Sequence, residues 1–517
     1  MKIKLFEHPK LAALGAGIAS VFALPPYYQI WLPFITFGIL AYLLNYAQNH
    51  RRAFAIGYWF GFGFFAVGLS WISHALALDL ASFGWLIPIA LIAAGAFFGI
   101  FVALPAWISS YFCGFWSKII IFSTTWAIME WVRSFFLTGF PWNQLGSVLA
   151  FNHSLLQTAS CFGTYGLSLI VCLAFMLPTA AFISPYRRNA VIGIGSILLI
   201  ASTLIGFGTY RTQRLDNNEM SDINIRVVQP SIPQNLKWDF GEQENNFADY
   251  IEMSENMGFE QTNVVIWGET ASTFPLKIDR AHFYQMLTAV PDDGYLITGS
   301  IDYIPRENDR WLPVNAGLIF RHGKGIIDSY SKSHLVPFGE YLPLRRFLPE
   351  TLRPITKVIT DFQAGEGPKT FNLDKLPPFG LLICYEIIFP HQVADADNRP
   401  QWLINLTNDG WYGMSSGPYQ HLTAAQLRAV EEGLTIVRAA NSGISALISR
   451  SGKIITELGL HKRGNLDFKL PQQLSVSTLY SKYGNICFGI MALLFGLSAL
   501  FMSHLHRRHK KTTDGNH

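Results

Sequence analysis

Three short segments carry side chains whose types, taken together, could run acyl transfer through a thiol. Cys384 sits in Leu382-Ile383-Cys384-Tyr385-Glu386, directly after an apolar run, and is the only cysteine between Arg211 and Tyr483. Such a lone thiol is either a packing group or a nucleophile. Glu269 follows the apolar run Val264-Val265-Ile266-Trp267, while Lys332 and Glu340 lie in Tyr330-Ser331-Lys332-Ser333-His334-Leu335-Val336-Pro337-Phe338-Gly339-Glu340. A thiol attacks a carbonyl as its anion, so it needs a base or a positive charge beside it. Glu269, at a strand end in a dry cleft, is expected to have its pKa raised by desolvation and to act as that base. Lys332 would steady the thiolate and then the oxyanion, with the Tyr385 N–H as a second donor. Loss of one oxyanion donor commonly costs about 10²–10³ in rate, so Lys332→Ala is expected to be nearly as damaging as Cys384→Ser. Singly, these residues read as a solvated strand end, a surface lysine and a packed cysteine. The combination is much more specific than any member.

The elements that must position them lie in residues 211–483, long enough for one sizeable domain and without a Gly/Ser linker to divide it. Short β-rich runs recur at 223–228, 264–267, 295–299, 316–320, 325–330, 380–383, 402–407, 445–449 and 453–457. Helical stretches at 245–257, 281–288 and 421–439 alternate with them, which predicts an α/β domain. A hairpin over 316–330, turning at His322-Gly323-Lys324-Gly325, makes part of the sheet antiparallel, and Arg450-Ser451-Gly452-Lys453 is a second tight turn.

The rest of the chain is of another kind. Of 517 residues, 50% are hydrophobic and only 14% charged, against about a quarter charged in soluble proteins. The deficit falls before residue 210 and near 484–504. Spans of about 20 apolar residues are expected at 8–25, 28–47, 53–75, 84–110, 118–138, 154–184, 190–209 and 484–504. The first has no convincing cleavage site and is read as a retained anchor. Lys2, Lys4, Lys10, Arg51, Arg52, Lys118, Arg187, Arg188 and the basic tail would share one side, while loops 76–83 and 139–153 hold no Lys or Arg. By the positive-inside rule both termini are then cytoplasmic and 211–483 lies outside. The organisation expected is seven spans in 1–210, an extramembrane domain in 211–483, and an eighth span with a basic tail in 484–517. Glu130 and Arg133, three apart, would share a helix face and pair within the membrane region. The other four cysteines lie in apolar segments, no Cys/His cluster suggests a metal, and the net charge of +4 without a basic–aromatic stretch argues against nucleic acid.

Trp-Gly-Glu-Thr at 267–270, the 331–343 segment around Lys332, and Ile-Cys-Tyr-Glu at 383–386 resemble the Glu, Lys and Cys motifs of the nitrilase (carbon–nitrogen hydrolase) superfamily. The particular Lys motif, with seven spans before the domain and one after, resembles the bacterial apolipoprotein N-acyltransferases. Val228–Gln234, Lys237-Trp238, Asn408–Gly413 and Gly417–His421 are further matches, while Gly268 and Tyr412 stand where Pro and Phe are expected. The resemblance implies an α-β-β-α sandwich. It also implies Glu269 as general base, Lys332 as oxyanion stabiliser, Cys384 as nucleophile, support from Glu340, Tyr385 and Glu386, and Trp238 at the substrate mouth. His334 and His421 are expected to be structural, since the triad already has its base. The activity implied is transfer of a phospholipid acyl chain, through a Cys384 thioester, to the α-amine of a lipoprotein's diacylglyceryl-cysteine, with no cofactor, by a monomer in the bacterial inner membrane. The competing readings are a membrane-tethered amidase acting on a soluble substrate and a transporter or scaffold with an inactive domain.

Overall fold

Period-2 alternation builds the α/β part: in Val264–Trp267, Val264 and Ile266 face one core while Val265 and Trp267 face another. The computed structural model describes residues 7–183, 187–216, 219–306, 310–343, 345, 361–472 and 477–514; Lys2 and Lys4 lie outside these. The chain forms two compact units, Leu215–Ser477 and Met1–Arg214 with Thr478–His517.

In Leu215–Ser477 the strands are β1 (Met220–Gln229), β2 (Val264–Trp267), β3 (Tyr295–Arg306), β4 (Arg310–Arg321), β5 (Gly325–Ser331) and β6 (Thr370–Phe371). They continue with β7 (Phe379–Ile383), β8 (Trp402–Thr407), β9 (Thr435–Ala440), β10 (Ser445–Ile448), β11 (Ile454–Leu458) and β12 (Gly464–Pro471). Two six-stranded sheets result, ordered β12-β1-β2-β3-β4-β5 and β11-β10-β9-β8-β7-β6. Ile225, Ile266, Ile297 and Ile319 of the first share a buried core with Leu381, Ile383, Ile404 and Val437 of the second. On the outer face of the first sheet, Val265, Trp267 and Leu318 pack with Phe247 and Met253 of helix Gln243–Ser254 and Met286 of helix Arg280–Met286. Helix Gly417–Glu432 packs on β9 and β10. The layers are therefore helix, sheet, sheet, helix, as expected. Strands β1-β2-β3 and β7-β8-β9 pair in parallel, so the carboxyl ends of β2, β7 and β8 open where ligands of parallel sheets commonly bind.

One reading is corrected. The stretch 421–439 is not one helix: it ends at Gly433 (φ +67°), and Thr435–Ala440 is strand β9. Gly433 takes the left-handed capping conformation, and the β-branched Thr435-Ile436-Val437 suits a buried strand. Strand β12, antiparallel to β1, was also unforeseen, although Asn465-Leu466-Asp467-Phe468-Lys469 alternates polar and apolar as a half-buried strand does. Arg226 locks that pair, donating to both carboxylate oxygens of Asp467 at 2.8 Å and to the carbonyls of Ser254, Asn256 and Met257.

In the other unit helices overlap the segments read as spans, and four of the described ones have the length and hydropathy of a span. Leu86–Ser109, Ala159–Ile183, Arg187–Leu215 and Asn485–Thr512 are long and apolar enough to cross a membrane. Pro9–Ala23 and Trp31–Asn45 are shorter apolar helices. Glu130 and Arg133 serve the 139–146 loop: Glu130 Oε1 accepts from the Trp126 indole and the Leu145 N–H, and Arg133 donates to the Trp142 carbonyl.

Candidate active site

The ends of β2, β5 and β7 bring Glu269, Lys332 and Cys384 into one buried cluster. Lys332 follows β5 directly and is 1% exposed. Its Nζ donates to Glu340 Oε1 at 3.0 Å and to Glu269 Oε1 at 3.3 Å. Asn315, on β4, bridges the same two oxygens through its amide nitrogen at 2.8 Å each. Glu269 Oε2 accepts from the Asn408 N–H just past β8, and Glu340 Oε2 accepts from the Val336 N–H. Glu340 thus orients the lysine and closes the loop that carries it.

Cys384 is buried and strained, with φ +50°. A non-glycine residue holds that conformation only when its surroundings over-determine it. The turn at the end of β7 points the thiol toward the Thr407 hydroxyl at 3.3 Å, and the Thr407 carbonyl accepts from the Glu269 N–H at 3.3 Å.

Charge is arranged to keep the thiol protonated until it reacts. Burial, then the Glu269 carboxylate, push the Cys384 thiol well above its usual value, against the pull of Lys332. Burial alone would lift Glu269, but the Lys332 ammonium, hydrogen bonds from Cys384 and Asn315, and Lys237 together hold it below its usual value. The sequence expectation of a raised carboxyl is corrected here: desolvation is present, and a buried cation outweighs it. Burial opposes the charge on Lys332, yet Glu340, Glu269 and Cys384 raise its pKa and keep it an ammonium. An ionised carboxylate beside a neutral thiol and an ammonium is a pair primed for base-assisted attack on a carbonyl.

Glu386 ties the cysteine strand to the lysine loop. One of its oxygens accepts from the Ile383 N–H at 2.7 Å. The other accepts from the Tyr330 hydroxyl, the Ser333 N–H and the Ser333 hydroxyl at 2.7 Å each. Removing the acceptor strands several buried donors, at about 1–3 kcal/mol each. Glu386→Ala is therefore expected to lower stability by about 3 kcal/mol or more, measured as a fall in the midpoint of thermal unfolding of the detergent-solubilised protein.

Tyr385 is buried with its ring against Phe389. Trp238 is half-buried after the short helix Gln234–Lys237. Its neighbour Lys237 reaches the site itself, donating to the Glu269 carbonyl at 2.9 Å and the Thr270 hydroxyl at 2.7 Å. Burial lowers its pKa to about 8 against the pull of Glu269 and Cys384. Sequence reasoning missed Lys237, Asn315 and Asn408 as parts of the site. The available signals were an asparagine inside the buried run of β4 and the quoted Lys-Trp and Asn-Asp-Gly segments.

The Glu269 turn is pressed against β3. A Cβ on Gly299 would lie 2.4 Å from the Thr270 nitrogen, 2.6 Å from the Gly268 oxygen and 2.7 Å from the Glu269 Cα, all backbone. Gly299→Ala must move the carboxylate, so catalytic activity is expected to fall by more than about tenfold, with about 1–3 kcal/mol lost from overpacking. Activity and thermal-unfolding measurements on the same preparation check this. The Gly268 departure also has a local reason: its Cβ would lie 3.0 Å from the Thr407 oxygen and 3.1 Å from the Asn441 nitrogen.

Comparison with known proteins agrees with this architecture. The family model described as "Apolipoprotein N-acyltransferase N-terminal domain" matches residues 16–177, and that described as "Carbon-nitrogen hydrolase" matches 224–476. A protein of Rickettsia prowazekii named apolipoprotein N-acyltransferase is 35% identical, over 96% of this chain and 97% of its own. One of the same name from Rhodopseudomonas palustris is 34% identical over 93% of each chain. A third, from Rickettsia bellii, is 36% identical over 92% of this chain and 94% of its own. With relatives aligned across both units and a nitrilase-type sandwich carrying the cluster, the chain belongs to the apolipoprotein N-acyltransferase family.

Proposed function

We propose that the protein transfers a fatty acyl chain from a membrane phospholipid to the α-amino group of the diacylglyceryl-cysteine at an apolipoprotein N-terminus. The observation that carries this reading is the thiol of Cys384 set in one buried cluster with an ionised Glu269 and the Lys332 ammonium. Cys384 Sγ attacks the ester carbonyl while Glu269 takes the thiol proton, and Lys332 with the Tyr385 N–H steadies the oxyanion. The intermediate collapses, the lysophospholipid oxygen leaves with the proton from Glu269, and a thioester remains. The lipoprotein amine then attacks that thioester. Glu269 accepts the amine proton, the amide forms and the thiolate is released to be reprotonated.

Four helices long and apolar enough to cross a membrane support a membrane-bound enzyme. Lifting lipid chains into water would cost about 0.8 kcal/mol per CH₂, so an enzyme with two lipid substrates works best at the bilayer. The topology that fits the distribution of basic residues is eight spans, both termini cytoplasmic and the α/β domain on the periplasmic side. We take Glu340 and Glu386 to hold the reacting groups and Trp238 to line the substrate mouth, in a monomer.

The test is conversion of a diacylglyceryl-cysteinyl peptide to its N-acyl form in phospholipid-containing micelles. Amide formation by the wild type and none by Cys384→Ala supports the proposal. Hydrolysis of small amides without peptide acylation would favour an amidase instead. Full function of Cys384→Ala in a cell depleted of the native protein would favour a scaffold.

A further inference from the structure

The conformation of Cys384 needs a cause, and a buried network behind it provides one. His421 Nε2 lies 3.1 Å from the Cys384 carbonyl oxygen. Its Nδ1 lies 2.8 Å from Asp409 Oδ1 and 3.1 Å from an Arg438 nitrogen. Arg438 donates to Asp409 Oδ2 at 2.7 Å and also to Asn405. The Thr407 hydroxyl sits 3.3 Å from Cys384 Sγ and 3.1 Å from Asp409 Oδ1. His421 and Arg438 are fully buried and Asp409 is 1% exposed.

We propose that His421, held by Asp409, is a positioning residue for the reacting thiol: its Nε2–H fixes the Cys384 carbonyl and with it the left-handed turn that aims Sγ. This rests on the reading of Cys384 as nucleophile. A carbonyl only accepts, so Nε2 carries a proton. Nδ1 is free to change its role. Protonated, it donates to the Asp409 carboxylate directly; unprotonated, it accepts from Arg438, which also donates to Asp409 Oδ2 and so still ties the ring to that carboxylate. The bond to Cys384 survives both states, which suits a positioning group rather than a proton carrier. Arg438 and His421 hold Asp409 well below its usual value against burial, so the anchor stays charged. Burial first, then Arg438, lower the pKa of His421, with Asp409 opposing. The network joins β8, β9 and helix Gly417–Glu432 behind a residue at the end of β7, so no single element sets the turn.

The test reads the thiol without any lipid. The full chain in detergent is treated with iodoacetamide at neutral pH, and alkylation of the Cys384 peptide is followed by mass spectrometry. His421→Leu is expected to slow that alkylation by about 10- to 10²-fold, since small misplacements of a reacting atom carry costs of that order. His421→Gln keeps an amide donor and is expected to recover most of the rate. Asp409→Asn, nearly the same shape, is expected to slow it by about threefold or more, and carries the test if His421→Leu does not fold. A folded His421→Leu or Asp409→Asn protein that alkylates Cys384 at the wild-type rate overturns the proposal. So does a loss that only matches the fraction unfolded and is equal for Leu and Gln. Should alkylation follow the expected order while no acyl chain ever reaches Cys384, the positioning role stands and the acyltransfer reading falls.

Discussion

Lys332→Ala is expected to reduce N-acylation by roughly 10³-fold or more. Two losses add. The oxyanion loses its charged donor, a change that typically costs about 10²–10³ in rate. Glu269 and Glu340, both bonded to Lys332 Nζ, also lose the cation that balances them in a buried site. Breaking a buried pair from one side typically costs about 3–5 kcal/mol, and one of the carboxyls will take up a proton to limit it. A protonated Glu269 is no base, so the second loss falls on catalysis as well. Single-turnover acylation and thermal unfolding, measured together, check this. Near-normal acylation with intact folding would remove Lys332 from the chemistry. Glu340→Gln should show a weaker form of the same behaviour, because Glu269, itself held by the Asn315 amide, still pairs with the lysine.

Glu269→Gln is expected to cut activity by about 10²–10⁴-fold, the usual range for a lost general base, and to change its pH dependence. In the wild type the carboxyl lies below its ordinary value, so the base form persists into mildly acidic solution. The thiol lies far above its ordinary value and contributes almost no anion of its own near neutrality. Activity should therefore fall only as pH drops through the lowered Glu269 value. Without the carboxylate, alkylation of Cys384 should be slow at neutral pH and climb steadily with alkalinity. The stability sign agrees. A carboxyl depressed on folding stabilises the protein at neutral pH, and that contribution is lost as pH falls through the folded-state value. A Glu269→Gln protein with the wild-type pH profile would contradict the assignment.

Much of this was legible in the chain because the reacting groups sit at strand ends, where a local apolar run announces the element and the next residue is the functional one. Val264–Trp267 ahead of Glu269 and Phe379–Ile383 ahead of Cys384 are such cases. Lys332 was legible only by its motif: by composition it is a lysine in a polar turn, and nothing nearby in sequence shows that Glu340 and Glu269 bury it. The supporting groups were hidden for the same reason. Asn315 meets Glu269 from 46 positions away and Lys237 from 32. The direction of the Glu269 shift depends on summed charge at a point, which no single motif states. His421 illustrates the limit: as a helix-opening histidine it reads as structural, and its bond to the Cys384 carbonyl, 37 positions away, exists only in the folded sheet.

The most direct test of the central claim is the intact mass of the purified protein after incubation with phospholipid alone. The account predicts one added fatty acyl group on the wild type, located on the Cys384 peptide, absent from Cys384→Ala, and discharged when a diacylglyceryl-cysteinyl peptide is supplied. A wild-type mass that stays unmodified, or an adduct that survives in Cys384→Ala, would contradict it.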